Sequence, residues 1–155
     1  MRLPRGITGF WESGEDPPPA TDLRAFRGHC HAAAHCVGGR VHSVMEPNPG
    51  GVCRNFAVGV LVLTYDAVAV VLNAHYPILA FADPPAEGDV LLQFTDCPEL
   101  ADVFSAFDVY QVVSASEWEQ PPTPTALRDL SPAERGQVAY WKPRRIGDVV
   151  FNCWD

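Results

Sequence analysis

One stretch of the chain, residues 55–83, is more apolar and richer in β-branched side chains than any other part of it. Valine-rich runs cover residues 56–63 and 67–72, and a shorter apolar run follows at 78–82. Valine packs better on a pleated sheet than in a helix, because branching at Cβ restricts its rotamers. Continuous apolar runs of this length, broken by turn-forming residues, are typical of buried strands. The sequence therefore predicts two or three central strands of one sheet, with a tight turn at Tyr65-Asp66.

The same stretch does not have the pattern of a membrane-spanning helix. Residues 56–72 number 17 and are interrupted by Thr64-Tyr65-Asp66, whereas a spanning helix needs about 20 apolar residues. An aspartate at the centre of such a helix costs about 3 kcal/mol on insertion scales. We expect no membrane association.

The segments on either side predict further strands. We favour a strand over residues 26–37, although Ala32-Ala33-Ala34 favours a helix. A turn at Gly38-Gly39 and a second strand over 40–45 follow, since two glycines between such segments are a hairpin signal. Residues 46–51 hold two prolines and two glycines and predict a loop. The remaining predicted strands are 90–94, 109–114 and 146–151.

Two segments have the capping and periodicity of helices. Residues 97–107 place Leu100, Val103, Phe104 and Phe107 on one stripe, with Asp96 and Glu99 as the capping pair. A second helix starts at Ser131, with Glu134 as its capping partner, and ends before Pro143. The order of elements predicts an α+β fold, in which a mostly antiparallel sheet carries two short helices on one face.

Length and cysteine usage predict one globular domain in a reducing compartment. A chain of 155 residues is long enough to bury a core without staples. Residues 1–21 predict an irregular N-terminal arm, because Pro17-Pro18-Pro19 continues neither a helix nor a central strand, and Trp11 is the expected anchor of this arm. Five cysteines at irregular spacing do not resemble a disulfide framework, and residues 1–10 lack a secretory apolar core. We expect a cytosolic protein.

The charge distribution is uneven. The net charge is −8, and no lysine or arginine lies between Arg54 and Arg128. Duplex binding relies on cations that neutralise phosphates, so this acidic middle predicts no binding to nucleic acid. An acidic surface attracts a basic protein and speeds its association, although acidity also serves solubility alone. The candidate partner-binding acids are Glu87, Asp89, Glu99, Asp102 and Asp108.

Histidines and cysteines are dense between residues 29 and 36. On a strand, His29, His31 and His35 would share one face; on a helix, His31 and His35 would lie one turn apart, which suits zinc. A fourth ligand would have to come from elsewhere, such as His42 or Cys53. The same residues allow a cysteine nucleophile with a histidine base, or simply buried cysteines and satisfied histidines. No phosphate-binding glycine loop, nucleophile elbow or His-Glu-x-x-His helix is present.

Two further segments contain unusual polar and aromatic residues. Asn73, His75 and Tyr76 interrupt the apolar stretch and predict either a pocket lining or hydrogen-bonded polar groups at a strand end. The tail from Tyr140 to Asp155 holds Trp141 and Trp154, which are core anchors or an aromatic surface for a partner. Arg144 and Arg145 predict a solvated patch. The tail and the segment Asn73–Pro77 resemble small uncharacterised bacterial proteins that are similar to immunity proteins of polymorphic toxin systems.

Together these features predict a non-enzymatic domain that binds another, basic protein. The mechanism would be occlusion of a basic toxin or enzyme surface by the acidic residues, and the resemblance implies an immunity-type inhibitor. The alternative is a metal-binding or small-ligand domain that uses His29, His31 and His35, with zinc as the expected metal.

Overall fold

The computed structural model describes residues 1–48 and 53–155. The predicted α+β class is confirmed: a six-stranded, mostly antiparallel sheet is accompanied by five helices in the described ranges. The strands are β1 (Arg40–Met45), β2 (Phe56–Val62), β3 (Ala67–Asn73), β4 (Ile78–Ala82), β5 (Phe94–Thr95) and β6 (Gln111–Val112). The helices are α1 (Leu23–Cys36), α2 (Pro98–Ala106), α3 (Ala115–Trp118), α4 (Pro132–Trp141) and α5 (Ile146–Val150).

The apolar stretch forms the centre of the sheet, as its sequence predicts. The strand order is β1-β2-β3-β4-β5, and β6 pairs with β4 in parallel. β2 and β3 pair along their full length, from Phe56 opposite Asn73 to Val62 opposite Ala67. Between them, residues 63–66 close the turn through a hydrogen bond from the Leu63 amide to the Asp66 carbonyl.

Both faces of the sheet are buried, which explains why the central strands are apolar throughout instead of alternating. Phe26 and Cys30 of α1 and Leu100 and Phe104 of α2 pack on the face that holds Leu72. The opposite face is covered by the N-terminal arm, α5, Trp118 and Trp154. Successive side chains along each central strand therefore point into two different cores, and neither face of these strands is open to solvent.

Several local predictions were wrong. Residues 26–37, predicted as a strand, fall in α1 and its C-cap Val37, and residues 146–151, also predicted as a strand, fall in α5 and its C-cap Phe151. The predicted strand 90–94 is reduced to β5, with Val90 and Leu91 exposed. The predicted strand 109–114 is only the two residues of β6. Residues 49–51 of the predicted loop lie outside the described residues.

The two predicted helices are present, with one correction to their caps. α4 begins with the predicted capping box between Ser131 and Glu134. The N-cap residue of α2 is Cys97, which makes no side-chain cap, and the Asp96 carboxylate accepts instead from the Ala115 amide at 2.9 Å. Asp96 therefore ties α3 to the start of α2.

The N-terminal arm is irregular, as predicted, but Trp11 does not anchor it. The Trp11 side chain is 50% exposed, whereas Leu3 and Ile7 are completely buried. None of the helices in residues 1–48 and 53–155 has the length and apolar character that a membrane crossing requires.

Candidate functional site

The five predicted partner-binding acids are all exposed, and they divide between two parts of the chain. Glu99 and Asp102 lie three residues apart on α2, opposite the buried Leu100 and Phe104. Asp108 follows α2 in the left-handed conformation, with φ 55°. In the described ranges none of these three acids takes part in an ion pair. We call Glu99, Asp102 and Asp108 the α2 acids.

Glu87 and Asp89 belong to the loop that joins β4 to β5. The Asp89 carboxylate accepts a hydrogen bond from the Ala86 amide at 2.8 Å, which closes a turn. Neither acid is ion-paired in the part of the chain that the structure describes. These loop acids are on a different element from the α2 acids.

A shallow depression of about 460 Å³ lies along α2, and of the α2 acids Asp102 lines it. Asp96, Asp102 and Ser105 supply its polar edge, and Phe81 and Ala101 lie among its apolar lining residues. Exposed carboxylates that form no ion pair, on a helix beside a partly apolar hollow, are suited to contact cationic side chains of another protein, since they attract them without first breaking an internal ion pair.

The His/Cys segment is helical, so its residues point in different directions. The His29 Nδ1 lies 2.6 Å from the Tyr110 hydroxyl oxygen, and its ring stacks on Phe107 with centroids 4.4 Å apart. His31 and His35 are exposed one turn apart, as the helical alternative predicted. Among residues 1–48 and 53–155, no group of three or more histidine, cysteine or acidic side chains is placed to hold a metal ion.

The cysteines are free thiols in different environments. All five lie in the described ranges and none forms a disulfide. Burial against the sheet raises the pKa of the Cys30 thiol to about 12, so at neutral pH it is protonated and packs as a small apolar group. Cys36 and Cys53 are exposed.

Asn73 is a hydrogen-bonded group in the core, which was one of the two predicted roles. Its Nδ2 donates to the carbonyls of Ile7 at 2.9 Å and Val150 at 2.7 Å. Its Oδ1 accepts from the amides of His75 and Tyr76 at 2.8 and 3.0 Å. A completely buried amide is thereby fully satisfied.

His75 and Tyr76 fulfil the other role, because they line a cleft of about 360 Å³ together with Pro77 and Tyr110. The His75 Nδ1 is already engaged with the Pro19 carbonyl oxygen at 2.8 Å. Desolvation, with a smaller effect of Glu134, raises the pKa of Tyr76, whose hydroxyl donates to the Arg5 carbonyl. Both polar groups are therefore committed to holding the arm.

The two tail tryptophans differ in exposure. Trp154 is buried and Trp141 is 38% exposed, and their rings are parallel within 3° with centroids 6.5 Å apart. They line a groove of about 340 Å³ with Val90, Leu91, Lys142 and Arg144. We call these six residues the tail groove. Sequence reasoning missed the exposure of Val90 and Leu91, because both were assigned to the predicted strand 90–94, where apolar residues are expected to be buried.

Arg145 is not part of a solvated patch, contrary to the prediction. Its guanidinium bonds to the carboxylates of Asp148 at 2.6 Å and Glu119 at 2.8 Å, and lies 4.9 Å above the Phe94 ring centroid. Hydrogen bonding to Asp148 raises the pKa of Arg145 further. Arg144 remains exposed, so two adjacent arginines have opposite roles.

Comparison with protein-family models, with curated protein sequences and with solved structures gives no significant match to this chain. Its function must therefore be inferred from its own geometry and chemistry.

Proposed function

We propose that this chain is a protein-binding domain that uses the α2 acids to occlude a basic surface of another protein, as an immunity-type inhibitor does. The observation that carries the proposal is that Glu99, Asp102 and Asp108 are exposed and, in the described ranges, unpaired. The absence of lysine and arginine from residues 55–127 leaves these acids without basic neighbours in sequence.

Occlusion requires no chemistry from this chain. A helix carries two of the acids, so their spacing is fixed before the partner arrives and little ordering is lost on binding. The long-range attraction of several carboxylates raises the association rate, and contacts within the depression beside α2 slow dissociation. The partner is defined by its chemistry: a protein with arginine and lysine side chains around its active site.

The test is an affinity capture from host lysate, made at low and moderate salt with three baits. The first bait is the wild-type chain, and the second carries Glu99→Gln, Asp102→Asn and Asp108→Asn. The third is a control with the same change in net charge, Glu46→Gln, Asp66→Asn and Asp155→Asn, at exposed positions away from α2. We expect a basic protein at stoichiometric yield on the first and third baits, lost as salt rises and absent from the second.

Association kinetics of the captured protein complete the test. The α2 triple variant should associate about tenfold or more slowly at low salt, with a flatter salt dependence, because steering by charge is lost. If the second bait captures the same protein at the same rate as the control, or if no protein distinguishes wild type from the α2 variant, the acidic-face proposal is wrong.

A further inference from the structure

The tail groove contains an unusual concentration of exposed apolar side chains. Val90 and Leu91 are 68% and 57% exposed, and Trp141 lies beside Tyr140, which is 76% exposed. The first two come from the β4–β5 loop and the last two from the end of α4, so two distant segments converge on one surface. Contiguous exposed apolar surface, and exposed tryptophan and tyrosine in particular, is typical of protein–protein contacts.

The two segments that meet at the groove carry charges of opposite sign. Lys142 and Arg144 lie on the α4 side, and neither is in an ion pair within residues 1–48 and 53–155. Glu87 and Asp89 immediately precede Val90 on the other segment and are also unpaired there. The neighbouring Arg145 is already neutralised by Glu119 and Asp148. The positive charge available on this surface therefore comes from Lys142 and Arg144.

Lys142 occupies a backbone position at which glycine would be less strained. It ends α4 in the left-handed conformation, with φ 51°, where a residue with a Cβ costs about 1 kcal/mol relative to glycine. This lysine, the only one in the chain, lines the groove next to Trp141.

We propose that two copies of this chain pair through their tail grooves in a two-fold symmetric dimer. A surface with an apolar centre, cations on one side and acids on the other is complementary to itself, because a two-fold axis places the acids of one copy opposite the cations of its partner. A partner protein with one sign of charge would match only half of this surface. The two copies bury Val90, Leu91 and Trp141 between the charged flanks.

The proposed dimer interface is larger than the groove itself. A stable interface covers about 800 Å² on each side, so we include the β4–β5 loop, with Glu87 and Asp89, as well as the apolar centre. The pairing assigns these two acids to the contact between copies and leaves the α2 acids free. It does not depend on the proposed function, and each can fail without the other.

The first measurement is sedimentation of the full chain over a roughly hundredfold range of protein concentration, where mass action shifts monomer to dimer. We expect a concentration-dependent dimer that Leu91→Asp weakens about tenfold or more, since it places a charge in the apolar contact. Because the Leu91 side chain is exposed, this substitution should leave the fold intact, and circular dichroism of the variant checks that it does. A wild-type monomer at every concentration, or a Leu91→Asp variant that associates normally, would overturn the proposal.

Charge reversal then tests the symmetry. One variant carries Lys142→Glu and Arg144→Glu, and the other Glu87→Lys and Asp89→Lys; alone, each faces like charges across the axis and should associate about tenfold or more weakly. An equimolar mixture should restore pairing, because both contacts of the mixed dimer are then attractive. Glu46→Lys with Asp66→Lys is the control and should pair as wild type does.

Two outcomes of the charge reversal would overturn the proposal. A mixture that stays monomeric, or reversal variants that still pair alone, would show that this surface is not the contact. The α2 triple variant should dimerise normally, which separates the loss of pairing from the loss of partner binding.

Discussion

At the scale of single residues, Glu134 both caps its own helix and binds the N-terminal arm, which is distant in sequence. Its Oε2 accepts from the Ser131 amide at 2.8 Å, which is the capping interaction that the sequence predicts. Its Oε1 accepts from the Gly6 and Thr8 amides at 3.0 and 3.2 Å and from the Thr8 hydroxyl at 2.8 Å. The carboxylate is completely buried and holds the arm on α4. The second set of bonds has no sequence signal, because its donors are 126 or more residues away.

We predict that Glu134→Gln destabilises the protein by about 2–3 kcal/mol. Whichever way the amide is oriented, its NH₂ group faces at least one buried donor, which loses its acceptor. Urea unfolding measures the change, and hydrogen exchange should accelerate at the amides that face the new NH₂ group, which are those of Gly6 and Thr8 in one orientation and that of Ser131 in the other. Glu117→Gln, at an exposed acid, is the control and should leave the unfolding midpoint unchanged; an equal loss in both variants would contradict the prediction.

Three buried asparagines also hold the arm, by donating to its carbonyls. Asn55, Asn73 and Asn152 donate through their side-chain amides to carbonyls of Ile7, Thr8, Val149 and Val150. Asn55 and Asn152 also bond to each other, because the backbone amide of Asn152 donates to the Asn55 Oδ1 at 2.8 Å. An amide with both donors and acceptors can join the irregular arm to a sheet end, where no backbone ladder reaches.

At the scale of elements, the most instructive wrong prediction is the strand over residues 26–37, where the structure has α1. Its buried residues Phe26, Cys30, Ala33 and Ala34 lie at helical spacing, but small side chains make a weak apolar stripe. The Asp22 side chain caps the helix by accepting from the Ala25 amide at 2.9 Å, and this signal was available in the sequence. Small residues are used because α1 approaches the sheet closely: a Cβ on Gly59 would lie 2.7 Å from the Cys30 Sγ.

We predict that Gly59→Ala destabilises the protein by about 1–3 kcal/mol, because the added methyl forces α1 away from β2. In the double variant with Cys30→Ala the new methyl occupies the space of the lost sulfur. The two changes should therefore couple favourably by about 0.5–3 kcal/mol in a double-mutant cycle of unfolding free energies. Additive effects would contradict the prediction, because they would mean that a Cβ at position 59 does not collide with the Cys30 Sγ.

The second wrong element, α5, was predicted as a strand because Val149, Val150 and Phe151 favour sheets. Only five residues are helical, and all five are buried. A Cβ on Gly147 would lie 2.2 Å from the Phe94 ring, so glycine is needed where α5 meets β5. The Val149 and Val150 carbonyls accept from buried asparagines instead of a neighbouring strand. Tertiary contacts thus override the β preference of these residues.

At the scale of the whole molecule, the arm is part of the core. Leu3 and Ile7 are completely buried against the sheet face opposite α1 and α2. The arm also supplies carbonyls to the buried asparagines and donors to Glu134. Without it, one face of the central strands would be partly uncovered, and several buried polar groups would lose their partners.

We predict that removal of residues 1–20 abolishes cooperative folding. Leu3 and Ile7 together contribute about 3–6 kcal/mol through burial alone, and orphaned polar groups add to a loss that approaches the whole stability of about 5–15 kcal/mol for a typical domain. Near-UV circular dichroism during thermal unfolding should show no sharp transition. Trp11→Ala in the full-length chain is the control and should cost about 1 kcal/mol or less. A cooperative transition in the shortened protein would contradict the prediction.

The sequence alone predicts the central strands, the turn at Tyr65-Asp66, the helices α2 and α4, and the α+β class. These features depend on β-branching, periodicity and capping within a few residues, which act on the chain locally. Tertiary structure decided the helical state of residues 23–36 and 146–150, the attachment of the arm, the pairing of Arg145 and the meeting of Leu91 with Trp141. Each of these rests on contacts between distant residues, such as Asn73 with Val150, 77 positions apart. Local patterns cannot specify such contacts, because their free energy exists only once the chain has packed.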